Sequence, residues 1–368
     1  MTEINPAHMK LALRLAAKGA GWVSPNPMVG ALVVQEGRVV GRGFHRRAGA
    51  DHAEVAALQQ AGAAARGADL YVTLEPCNHQ GRTPPCTEAI LAAGVARVII
   101  ATPDPNPRVA GAGAQFLQSR GITVEVGLLA QEAQGLNQAW FHWLESGRPW
   151  VIAKAACSLD GKIATAGGQS QWLTGEPARV WGHRLRHQVD AILVGIETVL
   201  SDDPELTTRL PRGGKDPIRI VLDSNLRIPL TSRVLNLESP APTWVACTDA
   251  APAEKIEALK QLGAEVLVFP GHSRDAGRVP LPSLLRLLGR RQVQNLLVEG
   301  GAEVLGAFFE QKLVNQFYFF FAPKFLGGRQ APGVLGGEGI VHLEDAARAR
   351  DLIIRRVGAD LLIKGYLE

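Results

Sequence analysis

The chain of 368 residues has little cysteine, four in all, and only three methionines and three tyrosines. Four cysteines make no disulfide framework and argue for a reducing compartment, so the cytoplasm is expected. No stretch approaches the roughly 20 apolar residues of a membrane span, and the N-terminus lacks a signal-peptide core, so no membrane association is expected. The net charge of +4 comes without any Lys/Arg block. The nearest pieces, 42–47 and 348–356, are diluted by uncharged or acidic residues, and no basic, aromatic-lined pattern accompanies them. No nucleic-acid partner is expected. There is no internal repeat and no low-complexity tract. A dinucleotide glycine fingerprint is also missing, because Phe116 stands where Gly111-Ala-Gly113 would need its third glycine.

What is present is a globular composition, 46% apolar and 20% charged, at a length that suits two domains. Short apolar strands alternate with Ala-rich helices from Lys10 to about Gly147. The strands are expected at 28–34, 70–74, 95–101 and 122–126. Residues 144–149 read as a short linker. A second alternating series then begins with a strand at 150–156, continues near 191–194, 218–222, 243–246, 266–269, 296–298 and 317–321, and ends with two more strands near the C-terminus. The division expected is 1–147 and 148–368, both of the α/β class.

Chemistry concentrates in His52-Ala-Glu54, Pro76-Cys77 and Cys86. One imidazole and two thiolates can hold zinc and leave a fourth position for water, whose pKa the metal lowers from about 15.7 to about 7. A carboxyl two residues from a ligand can take the water's proton and hand it to a departing amine, the role assigned to Glu54. His52 and Glu54 fall in the first turn of a helix expected over 51–64 with Asp51 as N-cap. Cys77 follows a strand, and Cys86 precedes a helix at 87–93, near a positive helix end that favours its thiolate. Zinc nucleobase deaminases carry H-x-E with P-C-x-x-C, and here the interval between the cysteines is longer, filled by residues 78–85. Unrelated core residues, or a closed structural site with His79 as fourth ligand, are the alternatives. Neither accounts for a carboxyl beside the histidine and a strand that ends on the first cysteine.

Further motifs extend the pattern over nearly the whole chain. In the first half they are Pro25-Asn26-Pro27, Gly43-Phe44-His45, Glu75-Pro76-Cys77, Thr83-Pro84-Pro85-Cys86 and Asp104-Pro105-Asn106-Pro107. In the second they are Ser158-Leu159-Asp160-Gly161, Ser170-Gln171-Trp172, the run from Thr198 through Asp202 to Arg209, and Glu299-Gly300-Gly301. With these the chain resembles the bifunctional riboflavin-biosynthesis enzymes that join a pyrimidine deaminase to a pyrimidine reductase. The resemblance implies a cytidine-deaminase-like three-layer N-terminal domain and a dihydrofolate-reductase-like C-terminal domain. It implies replacement of the 2-amino group of 2,5-diamino-6-(5-phosphoribosylamino)pyrimidin-4-one by a carbonyl, then NADPH-dependent reduction of the ribosyl group to ribityl. The cofactors expected are Zn²⁺ and NADPH, and the only partner expected besides a second copy in a homo-oligomer is the small phosphorylated pyrimidine.

By the same resemblance His52, Cys77 and Cys86 hold zinc, Glu54 shuttles protons, and Asn26, His45 and Arg82 meet the first substrate. The nucleotide positions map onto Ala156, Trp172, Thr198, Asp202, Ser224 and the helix start Gly301, Ala302 and Glu303. Those for the second substrate map onto Ser170, Arg186, Leu206, Arg209 and Glu299. Read without the family, Asn26 is a turn residue, His45 a surface histidine, Trp172 a core aromatic, and either arginine a surface ion pair. Lys154 and Asp160 are further polar candidates, although Asp160-Gly161 is also an ordinary turn signal. The chain departs from the family's wording at Asn78, Gln80 and Asn315-Gln316, where loop contacts and a surface charge are expected to differ. Rival readings are a nucleic-acid or free-nucleoside deaminase with an unrelated appendage, and a non-catalytic zinc-stabilised binding protein.

Overall fold

The structure is a computed structural model of the chain, and it describes residues 3–80, 84–106, 111–271 and 277–368. The chain forms two compact units, Met1–Ser146 and Gly147–Glu368. In the first, the helices are α1 (Pro6–Ala16), α2 (Ala53–Ala61), α3 (Cys86–Ala93), α4 (Ala112–Ser119), α5 (Ala130–Leu136) and α6 (Gln138–Ser146). The strands are β1 (Gly30–Gln35), β2 (Arg38–Phe44), β3 (Asp69–Val72), β4 (Arg97–Ile100) and β5 (Thr123–Val126). They form one sheet in the order β2-β1-β3-β4-β5, with β1 antiparallel to both neighbours and the β3-β4-β5 run parallel.

Alternation along the strands creates two cores. Ala31, Val33, Leu70, Val72, Val98 and Ile100 face α2, α3 and α4. Leu32, Val34, Tyr71 and Ile99 face α1 and Ala133 of α5. The unit is therefore three-layered. Strand β2 was not among the sequence expectations: Arg38-Val-Val-Gly-Arg-Gly-Phe is polar and interrupted by glycine, which masks its period. The Glu36-Gly37 turn before it, with positive φ at both residues (48° and 77°), was the available signal. Helix α2 is also shorter than expected and takes His52, not Asp51, as its N-cap residue, with no side-chain cap.

In the second unit the elements are β6 (Trp150–Ser158), α7 (Glu176–Gln188), β7 (Ala191–Gly195), α8 (Ile196–Asp202), β8 (Ile218–Leu222), β9 (Thr243–Thr248), α9 (Ala253–Gln261), β10 (Glu265–Phe269), α10 (Leu281–Arg290), β11 (Asn295–Val298), α11 (Ala302–Glu310), β12 (Gln316–Ala322), β13 (Ala349–Val357) and β14 (Asp360–Leu367). The nine strands run in the order β10-β9-β8-β7-β11-β6-β12-β14-β13. All neighbours are parallel as far as β12, and the terminal hairpin is antiparallel. Both sheet faces are covered, one by α10 and α11 and the other by α7, α8 and α9, as parallel strands require. The linker is shorter than its sequence signals, since α6 runs to Ser146 and β6 starts at Trp150. No helix among the described residues is long and apolar enough to cross a membrane.

In both units the C-terminal ends of the parallel strands carry the residues singled out above, the edge at which open α/β sheets place their ligands. In the first unit the opposite end of β3 and β4 is closed by the buried Asp69–Arg97 ion pair, at 2.6 Å. Helix α2 lies directly on the backbone of β2: a Cβ at Gly43 would stand 2.0 Å from the Ala53 carbonyl oxygen, and one at Gly41 2.2 Å from that of Ala57. These glycines set how closely the helix that carries Glu54 approaches the sheet. Gly43→Ala should therefore destabilise the first unit by about 1–3 kcal/mol, an overpacking cost. Thermal melting of the variant checks this, and an unchanged midpoint would speak against such a tight seat.

Candidate active sites at the strand ends

Three elements converge on the first site. The chain leaves β3 through Thr73, and the Glu75 carboxylate, itself buried, fixes the next segment. It accepts from the backbone N–H groups of Asp104 (3.2 Å), Gly111 (3.0 Å) and Ala114 (3.0 Å). The first turn of α4 thereby closes on Pro76, and Gly113 is so near that a Cβ there would lie 2.0 Å from the Pro76 oxygen. The Gly111-Ala-Gly113 run thus serves packing. Cys86 opens α3, and its N–H points at the Cys77 sulfur at 3.4 Å, while the Thr87 N–H donates to the Cys77 carbonyl at 3.3 Å. Asn78, one of the departures noted in the sequence, accepts from the Thr87 hydroxyl at 2.7 Å.

His52 meets these sulfurs from the start of α2. Its Nδ1 is 3.1 Å from Cys86 Sγ and 3.6 Å from Cys77 Sγ. One donor atom from each of the three residues lies within 4.8 Å of the others, which fits a single ion. The donor set, one nitrogen and two sulfurs, is that of a zinc site with a position left open. A hydrogen bond with the Cys86 thiol, aided by one with His52 and opposed by burial, holds Cys77 down to about 4, so this sulfur is the readier thiolate. Glu54, in the first turn of α2, is 4% exposed. Burial raises its carboxyl above the usual range, opposed in part by His52.

Beside them, His45 is 3% exposed, so it is no surface histidine. Its Nδ1 lies 3.1 Å from the Asp51 carbonyl, to which it can only donate, and its Nε2 then accepts from the Asn26 amide at 3.0 Å. Its ring stands edge-on to His52, with centroids 5.5 Å apart. Arg82 lies outside the described residues.

The second unit has its own cluster at the end of β11, beside the middle of β6. Glu299 receives a bidentate bond from Arg186, with Nε–Oε1 and Nη2–Oε2 both at 3.0 Å, and Lys154 Nζ stands 3.5 Å away. Burial alone would raise this carboxyl, but Arg186 and Lys154 outweigh it and hold it at about 2. The Arg186 side chain, 15% exposed, is thus a largely enclosed partner and not a surface ion pair. Arg209 is half-exposed and bonds Glu205 at 2.7 Å. Leu206, at φ 56°, has its side chain in the core, so only its backbone can face a ligand.

Ser170 Oγ bonds Asp202 Oδ1 at 3.1 Å, which ties a substrate candidate to a nucleotide candidate. Trp172 is 63% exposed and so is not a core aromatic. Arg179 lies 4.8 Å from its ring centroid, and Lys324 Nζ donates to its carbonyl at 3.1 Å. Gly301 is the N-cap of α11, without a side-chain cap, and a Cβ on it would be 3.7 Å from Thr198 Oγ1. Ala302 and Glu303 form the first turn of α11, Ala156 lies on β6 opposite Phe320, and Ser224 follows β8 and accepts from the Val279 N–H at 3.2 Å.

Asp160 bonds Ser158 and the backbone N–H groups of Leu326 and Gly327, contacts that brace the turn its Asp-Gly pair signals. One expectation is corrected. Asn315 accepts from the Val151 N–H at 2.8 Å and Gln316 is buried, so this pair bears on strand packing and not on surface charge. Two histidines that no motif marked, His183 and His187, also border this site. Burial, with the charges of Arg186 and Arg209, pushes His183 down to about 4.

Two family models match the chain: the RibD C-terminal domain over residues 149–363, and the cytidine and deoxycytidylate deaminase zinc-binding region over residues 2–102. The riboflavin biosynthesis protein RibD of Aquifex aeolicus is 44% identical over 361 residues, 98% of each chain. That of Escherichia coli is 41% identical over 368 residues, 97% of each chain. The chain belongs to the RibD family. Among solved structures, Acinetobacter baumannii RibD superposes with a TM-score of 0.88 at 36% identity, covering 99% of this chain and 98% of that one. The diaminohydroxyphosphoribosylaminopyrimidine deaminase/5-amino-6-(5-phosphoribosylamino)uracil reductase of Thermotoga maritima gives 0.86 at 34% identity with the same coverage. The expected pairing of a cytidine-deaminase-like domain with a dihydrofolate-reductase-like one agrees with these matches.

In this RibD-family chain a buried carboxyl with a raised pKa beside a zinc-type donor set is the group suited to carry protons. Glu54→Gln should keep bound zinc and lower deamination by about 10²–10⁴-fold, the usual share of a general acid–base. Ammonia release and metal content check it; deamination at the normal rate would remove Glu54 from the role.

Proposed function

We propose that this chain performs two consecutive reactions of riboflavin biosynthesis, each in its own unit. The substrate is 2,5-diamino-6-(5-phosphoribosylamino)pyrimidin-4-one, deaminated in the first unit. The deaminated product is reduced in the second by NADPH to 5-amino-6-(5-phosphoribitylamino)uracil. The observation that carries this reading is the convergence of His52, Cys77 and Cys86 beside the buried Glu54 in a RibD-family chain.

When bound, zinc supplies a Lewis acid that makes water a nucleophile near neutral pH. The rest is done by side chains. Glu54, kept protonatable by burial, takes a proton from the attacking water and delivers it to the leaving amine. Asn26 and His45 are oriented by their mutual hydrogen bond and by Asp51, and hold the pyrimidine or ribose. Arg82 is assigned to the phosphate on the sequence alone.

In the second unit the start of α11 at Gly301, Ala302 and Glu303, with Thr198 beside it, suits a nucleotide phosphate, because its backbone N–H groups have no side-chain cap. Trp172 offers an exposed flat surface to a planar ring, and Ala156, Asp202 and Ser224 complete the NADPH site. NADPH supplies the hydride. Arg186 and Arg209 clamp the sugar phosphate, while Ser170, Glu299 and the backbone at Leu206 meet the rest of the substrate. Lys154 is a second cation beside Glu299, 3.5 Å away, and joins them as a polar group of this site.

The assay is direct. Zinc-loaded protein given the diaminopyrimidinone phosphate should release ammonia without NADPH, and cofactor absorbance should fall only once NADPH is added. A chelator should stop ammonia release while leaving reduction of the already deaminated compound intact and the first unit folded. Unfolding of that unit on metal removal would favour a structural zinc role, and absence of ammonia would overturn the reading.

The same reading includes the cytoplasm, supported by four cysteines of which none is paired in a disulfide, and a homo-oligomer. Strand β13 is the sheet's outer edge, and Leu352, Ile353 and Ile354 on it are exposed. Antiparallel pairing of two copies about Ile353 would set Asp351 against Arg355, which suits a second copy of this chain. Sedimentation should show a dimer that Ile353→Lys converts to monomers; a monomeric parent chain, or a dimer indifferent to the change, would exclude this edge.

A further inference from the structure

From 203 to 217 the chain has neither helix nor strand, yet it carries Arg209. One face of α7 holds it. His183, Arg186 and His187 stand at i, i+3 and i+4 and so project together. Arg186 Nη1 donates to the Thr207 carbonyl at 3.2 Å. The Arg209 N–H donates to His183 Nδ1 at 3.3 Å, and the Lys215 N–H donates to His187 Nδ1 at 3.0 Å. The segment closes on itself between these points, where the Thr208 N–H donates to Asp216 Oδ1 at 2.7 Å. It packs so tightly that a Cβ on Gly214 would stand 2.7 Å from Thr208 Cγ2 and 3.2 Å from His187 Nδ1.

A ring nitrogen that accepts an amide N–H carries no proton, so each imidazole must hold its proton on Nε2. An imidazolium would turn N–H against N–H and release both contacts. Burial lowers both rings, reinforced at His183 by Arg186 and Arg209 and at His187 by Lys215.

We infer that His183 and His187 are positioning residues of the reductase site, a pair of Nδ1 acceptors that latch the 203–217 segment and so place Arg209 against the substrate phosphate. This rests on the assignment of Arg209 to the substrate. The latch acts on binding and not on hydride transfer. Its loss should therefore raise the substrate KM and spare kcat and the KM for NADPH.

The test uses the full chain. Asparagine puts an acceptor oxygen near the place of Nδ1, and leucine offers none. His183→Leu should raise the substrate KM about tenfold, the worth of one hydrogen bond, and His183→Asn should restore it to near the parent value; His187→Leu and His187→Asn should behave alike. Equal KM values for the leucine variant and the parent would overturn the proposal, as would an asparagine variant no better than leucine. Should a leucine variant fold poorly, ¹⁵N spectra of the histidine-labelled unmodified chain decide, because both rings must show a bare Nδ1 and a protonated Nε2 at neutral pH. The reverse tautomer overturns the latch itself. Arg209→Ala separates the two layers: a raised substrate KM supports the placement, whereas an unchanged one overturns the Arg209 assignment and the latch's purpose with it.

Discussion

A metal site of three protein donors depends on bringing one nitrogen and two sulfurs within a few ångströms, and here those atoms come from three separate elements. None of the three reaches the point alone. Helix α2 delivers His52 only because Gly41 and Gly43 let it rest on the β2 backbone. The stretch after β3 delivers Cys77 because Glu75 anchors it to the start of α4 through two backbone hydrogen bonds and to Asp104 through a third. Cys86 is delivered as the first residue of α3 and is linked to Cys77 by its own N–H. The donor cluster is thus a consequence of how closely helices approach strand ends, and the supporting contacts are of the kind that orient ligands from behind.

The second unit meets a different constraint. A carboxylate buried as deeply as Glu299 is costly unless cations and hydrogen bonds compensate it, and Arg186 and Lys154 do so at 3.0 and 3.5 Å. Arg186 in turn reaches the Thr207 carbonyl, so the charge cluster and the irregular segment bearing Arg209 are one connected arrangement. That connection places the candidate phosphate-binding side chains on a framework set by α7 and the end of β11.

Much of this was legible before any coordinates. Continuous apolar runs located the parallel strands of the second unit, because such strands are buried on both faces, whereas the antiparallel C-terminal pair is expected from the sequence only as two strands without bounds. The metal donors stood out because residue type and order are themselves the chemical requirement. What could not be read follows from contacts that leave no local pattern. Strand β2 hides its period behind glycines whose absence of side chain serves packing against α2. His45 looks like a surface histidine until Asn26 and Asp51 enclose it. Leu206 carries a family position, yet its side chain belongs to the core. His183 and His187 sit at helix spacing in a polar stretch where nothing local distinguishes a solvated face from a loop-holding one. In each case the deciding partner is distant in sequence or acts through its backbone.

Two glutamates, both nearly excluded from water, show how neighbours divide one residue type between two tasks. Glu54 is enclosed beside sulfur and imidazole with no arginine or lysine among the groups that shift it, so burial prevails and its carboxyl retains a proton more readily than usual. Glu299 is enclosed too, but Arg186 and Lys154 reverse the sign and keep it ionised. The first can both hold and release a proton, as a general acid–base must. The second cannot, since its proton is lost far below any working pH. Its use is as a fixed anion that holds the Arg186 guanidinium and the Lys154 ammonium in place. Substituting glutamine would therefore act differently at the two positions: at 54 it removes a titrating group, and at 299 it leaves two cations without their counter-charge.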